Sequence, residues 1–136
     1  MLDSFKTPLT VAGRILLASM FVLAGVDKLT HIDETASYLT TGGLPASSFL
    51  VVVSGLFEVS SGLAVATGFL ARWAALALAT FTLLVSLLFH RYWSVPADQQ
   101  LVTQLLFMKN VCIAGGMLVL AALGPGPGSL GPHRST

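Results

Sequence analysis

Ionised side chains are scarce in this sequence, making up 10% of its 136 residues, against roughly 25% in an ordinary soluble domain. That shortage excludes a solvated surface over most of the chain and points to a membrane protein. Net charge is +1, with the Lys and Arg residues scattered. No clustered basic surface exists for phosphates, so no nucleic-acid partner is expected. Cysteine occurs once, at Cys112, which excludes an intrachain disulfide and a CxxC redox or zinc site. Any redox chemistry must then come from a bound cofactor or a partner. There is no HxxxH, ExxH or Cys/His cluster, so no metal is expected. Haem is not expected either, because His31 and His90 fall at helix ends rather than at one depth inside a bundle.

What the chain has in abundance is apolar length: 54% of residues are hydrophobic and the mean hydropathy is +0.84. A bilayer core about 30 Å thick needs roughly 20 apolar helical residues, and four stretches qualify: Thr10 to Leu29, Ser47 to Phe69, Trp73 to Phe89, and Leu101 to Leu123. The first runs too long and carries Arg14 inside it, which argues against a cleaved signal peptide. Between the first two spans, Asp33 to Tyr38 suits a short helix lying in the headgroup layer. The expected fold is all-α, a four-transmembrane-helix antiparallel bundle with that interfacial helix between the first and second spans. Residues 1–124 form the membrane domain, and the Gly124-Pro125-Gly126-Pro127-Gly128 run begins a disordered tail over residues 125–136. Four spans put both termini on one side with Lys6, Arg14, Arg72 and Arg134, against Lys28, Arg91 and Lys109 on the other. The small basic excess places the termini in the cytoplasm.

Glu58 stands near the centre of the second span as its one charged residue. A carboxylate there must be paired, protonated or working. It lies on a stripe of small and polar residues that includes Ser54, Gly55, Ser61 and Gly62, the composition that lets transmembrane backbones approach closely. Arg14, Ala18, Phe21, Gly25 and Lys28 share one face of the first span and point inward. By helical depth, Lys109 and Asn110 of the fourth span reach the level of Glu58 if those helices are neighbours. Glu58 with Lys109 is therefore the preferred buried pair, with Arg14 the second candidate partner. Such a pair either pins helix register or serves proton transfer. His90, in the boundary cluster Phe89 to Trp93, either meets lipid headgroups or donates to a bound carbonyl. Arg72 and Trp73 read as an interfacial anchor, and Cys112 as a packed small residue.

The set formed by Arg14, Phe21, Gly25 and Lys28, then Gly43-Leu44-Pro45, then Glu58, Gly62 and Gly68, then Arg72, His90, Lys109-Asn110 and Gly115-Gly116, ending at Gly124-Pro125-Gly126, resembles the DoxX family over nearly the full length. The resemblance implies a small four-helix protein of the bacterial inner membrane, with a link to quinone-dependent oxidation. The segment after Gly126 departs from the family pattern, lacking the aromatic or basic residue and the acid that usually flank Ser-Leu. On this basis the chain is expected to be a membrane subunit that binds a quinone or similar lipid-soluble molecule and supports electron transfer carried out with a protein partner, not an independent oxidoreductase. Glu58 and Lys109 would move protons, and His90, Asn110, Arg14 and Lys28 would contact the quinone or line the polar core. Two alternatives stay open: a noncatalytic anchor or assembly factor for a redox complex, and a small transporter or channel, which would require broken helices or repeats that the chain lacks. Homo-oligomeric assembly is compatible with each.

Overall fold

The computed structural model describes residues 2–131, which are helical apart from short connections and contain no strand. After a 3-10 turn at Leu2–Phe5 come α1 (Lys6–Thr30), α2 (Ile32–Leu39), α3 (Ser48–Thr67), α4 (Ala71–Phe89) and α5 (Ala97–Leu123). Four of these, all but α2, are long and apolar enough to cross a membrane. The short α2 lies between the first and second spans, as the sequence predicts.

Local signals account for the helix ends. Pro8 sits in the first turn of α1, where its missing N–H had no helical partner to lose. The Ser47 hydroxyl accepts from the Leu50 N–H at 3.3 Å, capping α3. Gly68 closes α3 in the left-handed region (φ 84°), donating its N–H to Ala64 at 3.0 Å. The connection to α4 is so tight that Leu70 also takes a positive φ, 51°. At the end of α5, Arg72 donates from Nε to the Ala121 carbonyl (2.9 Å) and from Nη2 to the Ala122 carbonyl (2.8 Å). These are carbonyls that a helix terminus leaves orphaned. Arg72 therefore caps α5 with its guanidinium, a more specific task than the interfacial anchoring read from sequence.

Consecutive spans pack as antiparallel neighbours, α1 on α3, α3 on α4 and α4 on α5, while the fourth side of the bundle, α1 with α5, is only lightly touched and α3 and α5 occupy a diagonal with no backbone approach. Small residues set the α1–α3 spacing. A Cβ on Gly25 would lie 2.7 Å from the Gly55 carbonyl oxygen, and one on Gly62 would lie 3.3 Å from the Ala18 carbonyl oxygen. In hydrocarbon, where lipid tails are as apolar as leucine, such backbone contact supplies dispersion that larger side chains would prevent. Phe21, Leu78, Val65 and Met117 fill the core between the helices. Leu16, Leu23, Phe49, Trp73 and Leu101 point outward, a pattern suited to lipid and not to water. The α2 helix is held against the bundle by the Tyr38 ring, stacked on Phe89 with centroids 5.2 Å apart.

The segment after α5 departs from the sequence expectation. Residues 125–131 do not form a free tail but fold back across the bundle end, where the Leu130 N–H donates to the Thr67 carbonyl at 2.9 Å. Glycine and proline do stop the helix at Gly124, as read. The positive φ of Gly124, Gly126 and Gly128 then turns the chain back on α1 and α3. Residues 132–136, the rest of the expected tail, lie outside the described residues.

The seam yields a matched test. Gly25→Ala forces backbone apart and is expected to destabilise by roughly 1–3 kcal/mol. Gly115→Ala, whose new methyl meets nothing within 4 Å, is expected to be neutral or stabilising by up to about 1 kcal/mol. Thermal unfolding of the detergent-solubilised variants checks the opposite signs.

Candidate functional site

The antiparallel α1–α3 seam brings the last turn of α1 beside the first half of α3, and that placement decides the partner of Glu58. Lys28 Nζ lies 2.5 Å from Glu58 Oε2, with the lysine side chain 25% exposed and the carboxylate 5%. Glu58 stands about 15 Å along α3 from Ser48. The lysine reaches inward along its long stem instead of snorkelling outward. Its ammonium also sits 5.5 Å from the centroid of the Phe81 ring, close enough for a cation–π contribution. Phe81 in turn packs on Phe57 at 5.2 Å, so α3 and α4 supply an aromatic wall beside the pair.

The expected Glu58–Lys109 pair does not form. Equal depth brings two side chains together only where their helices touch, and α3 and α5 lie on the diagonal. Lys109 is exposed on α5. Asn110 does face inward and is buried, yet it makes no hydrogen bond to Glu58. His90 is half-buried at the end of α4, where its backbone N–H donates to the Ser86 carbonyl at 3.0 Å. Nearby on α4, Ser86 donates to the Thr82 carbonyl at 2.8 Å, while the Thr82 hydroxyl is buried without a partner. Cys112 is exposed on the outer face of α5, not packed within the bundle.

Arg14, the second candidate partner, belongs to the opposite end. It is 2% exposed and donates from Nη1 to the Pro125 carbonyl (2.9 Å) and from Nη2 to the Gly128 carbonyl (2.7 Å). Gly68 must lack a side chain here, because at φ 84° its Cβ would press on Ser129, 2.8 Å from that residue's Cα, beside Arg14 Nη1. The six proposed site residues thus divide into Lys28 with Glu58, Arg14 with the returning C-terminal segment, and His90, Lys109 and Asn110 on α4–α5.

Sequence reasoning missed what surrounds Lys28. An open groove at that end is lined by Asp27, Lys28, His31, Glu34, Thr35 and Tyr38 together with Ala24. His31 Nδ1 lies 3.1 Å from Asp27 Oδ1, an exposed contact of little energetic weight. The signal was the near-helical spacing of Asp27, His31, Glu34 and Tyr38 across the α1–α2 break. Among the described residues, no three His, Cys, Asp or Glu side chains converge as a metal site would require.

Lys28→Met strands a buried carboxylate and is expected to cost up to about 3–5 kcal/mol. Adding Glu58→Leu should recover most of that loss. Lys109→Met should stay within about 0.5 kcal/mol of wild type. Thermal unfolding of the three variants reads the contrast, and a Lys109 effect as large as that of Lys28 would contradict the observed pairing.

The DoxX family model matches residues 9–91, a stretch that contains Arg14, Lys28, Glu58, Arg72 and His90 and stops before Lys109 and Asn110. Two proteins of Escherichia coli K12 are similar over most of their length. Inner membrane protein YqjF is 40% identical over 120 residues, covering 88% of this chain and 87% of its own. Inner membrane protein YphA is 31% identical over 122 residues, covering 90% and 87% respectively. No solved structure matches the chain. With four apolar spans, a matching family model and these two relatives, the chain belongs to the DoxX family of small integral membrane proteins.

Proposed function

We propose that this chain is a multi-pass subunit of the inner (cytoplasmic) membrane that binds a quinone or similar lipid-soluble carbonyl compound beside Lys28 and Glu58, and supports electron transfer carried out with a partner protein. The observation that carries the reading is the Lys28–Glu58 pair, held at mid-span and open on one side to the groove of Asp27, His31 and Tyr38. The residues fit such a group. Lys28 has three N–H donors, of which one serves Glu58, and Phe57 with Phe81 presents apolar ring surface beside it. A bound quinone would supply two-electron chemistry coupled to two protons, with electrons coming from the partner's redox centre. Lys28 would polarise a carbonyl oxygen by hydrogen bonding. Glu58 would accept or deliver a proton at its carboxylate, shielded from bulk water. The names of the two E. coli relatives support the membrane, and the excess of Lys and Arg near the termini supports their cytoplasmic placement.

A noncatalytic anchor or assembly factor is the second reading. It is favoured by the internal use of two arginines, Arg14 and Arg72, which both bond the chain's own carbonyls.

Lipid extraction from the purified protein separates the two. About one quinone per chain is expected in wild type and in Lys109→Ala, with loss of most of it in Glu58→Gln and Lys28→Met. If wild type neither copurifies with quinone nor binds it on addition, the redox reading falls and the anchor reading stands.

A further inference from the structure

Arg14 is a buried cation without a counter-charge. Its two terminal nitrogens bond neutral carbonyls, its Nε is buried with no partner, and no carboxylate among the described residues lies within ion-pair distance. Carbonyls orient a guanidinium but leave its charge uncompensated, and an unneutralised charge inside a membrane bundle is costly. Beside it runs the one flank where neighbouring spans barely touch, between α1 and α5. A groove there is lined by Lys6, Thr10, Gly13, Arg14, Leu17 and Gly116, with further apolar side chains of α5 and the Gly124–Pro127 backbone. Its basic end holds Lys6 and Arg14, and no acid lines it. Lys6 is exposed and, among the described residues, forms no ion pair. The rest of the groove is an apolar trough, kept open because Gly13 carries no side chain and has nothing within 4 Å of where a Cβ would be.

We propose that this α1–α5 flank is a binding site for an anionic phospholipid, with the phosphate contacting Lys6 and drawn by the uncompensated charge of the buried Arg14, and one acyl chain along the trough past Gly13 and Gly116. Charge and shape agree on that occupant. Lys6 lies in the first turn of α1, two turns before Arg14, which is level with the end of α3 at Gly68. That turn therefore stands at headgroup height while the trough descends into the hydrocarbon. A second copy of the chain fits worse, because a two-fold contact here would set Lys6 and Arg14 against themselves. The site lies at the opposite end of the bundle from Lys28 and Glu58, so it stands independently of the quinone reading.

The test is native mass spectrometry of the full chain in detergent after exchange with palmitoyl-oleoyl phosphatidylglycerol or the matching phosphatidylcholine. Wild type should retain about one phosphatidylglycerol and markedly less phosphatidylcholine. Lys6→Gln should weaken phosphatidylglycerol retention about tenfold, the worth of one charge-assisted contact. Gly13→Leu should block both lipids by filling the trough while leaving the Arg14 clamp untouched. Gly115→Leu, made at a glycine outside the groove with equally open space around it, should behave as wild type and controls for the added leucine. Excess inorganic phosphate should not displace the lipid. Equal retention of the two lipids, identical behaviour of the Gly13 and Gly115 variants, displacement by free phosphate, or a second protein copy in place of lipid would each overturn the proposal.

Discussion

A carboxylate at the centre of a membrane span has no water to solvate it, so the fold must deliver a cation to it, and in this protein that delivery depends on the contact between α1 and α3. Lys28 leaves α1 close to its end, yet Glu58 is near the midpoint of α3. The lysine stem bridges that offset because Gly25, Gly55 and Gly62 let the two backbones touch. With bulkier residues along the seam, the helices would stand apart and the two charges would be buried separately. The rest of the bundle is built outward from this contact. The short turn at Gly68 fixes α4 against α3, and α4 in turn carries α5.

The architecture was legible because hydrophobic length is a one-dimensional property, and the spans, the helix between the first two and the small-residue face of α3 can be read along the chain. Glu58 was legible for the same reason, as a charge where the local pattern forbids one. Its partner was not, because which spans are neighbours and which are diagonal depends on packing that no single span encodes. Lys28 shares the inward face with Arg14 and Gly25, but its place at the end of α1 reads as a boundary residue until the glycine seam sets the register. The fate of the Gly-Pro run was half legible. Its residues do end α5 at Gly124, while the Arg14 contacts that order the following segment come from the other end of the sequence.

The described polar groups sort by height in the bundle. Lys28, Glu58 and the Asp27–Tyr38 groove lie toward one face, whereas Arg14, Arg72, Lys6 and the returning C-terminal segment lie toward the other. Arginine dominates the second face, where rigid forks meet several backbone carbonyls at once. Lysine serves the first, where a flexible point charge has to reach inward.

The Arg14 contacts also imply an order of assembly. The carbonyls that receive its guanidinium are 111 and 114 residues downstream, beyond the last span. While the ribosome is still making α3, α4 and α5, the first helix must wait in the bilayer with its arginine unmet. Those partners follow α5 in the sequence, so the fastening of the bundle at this end waits until all four spans have been made.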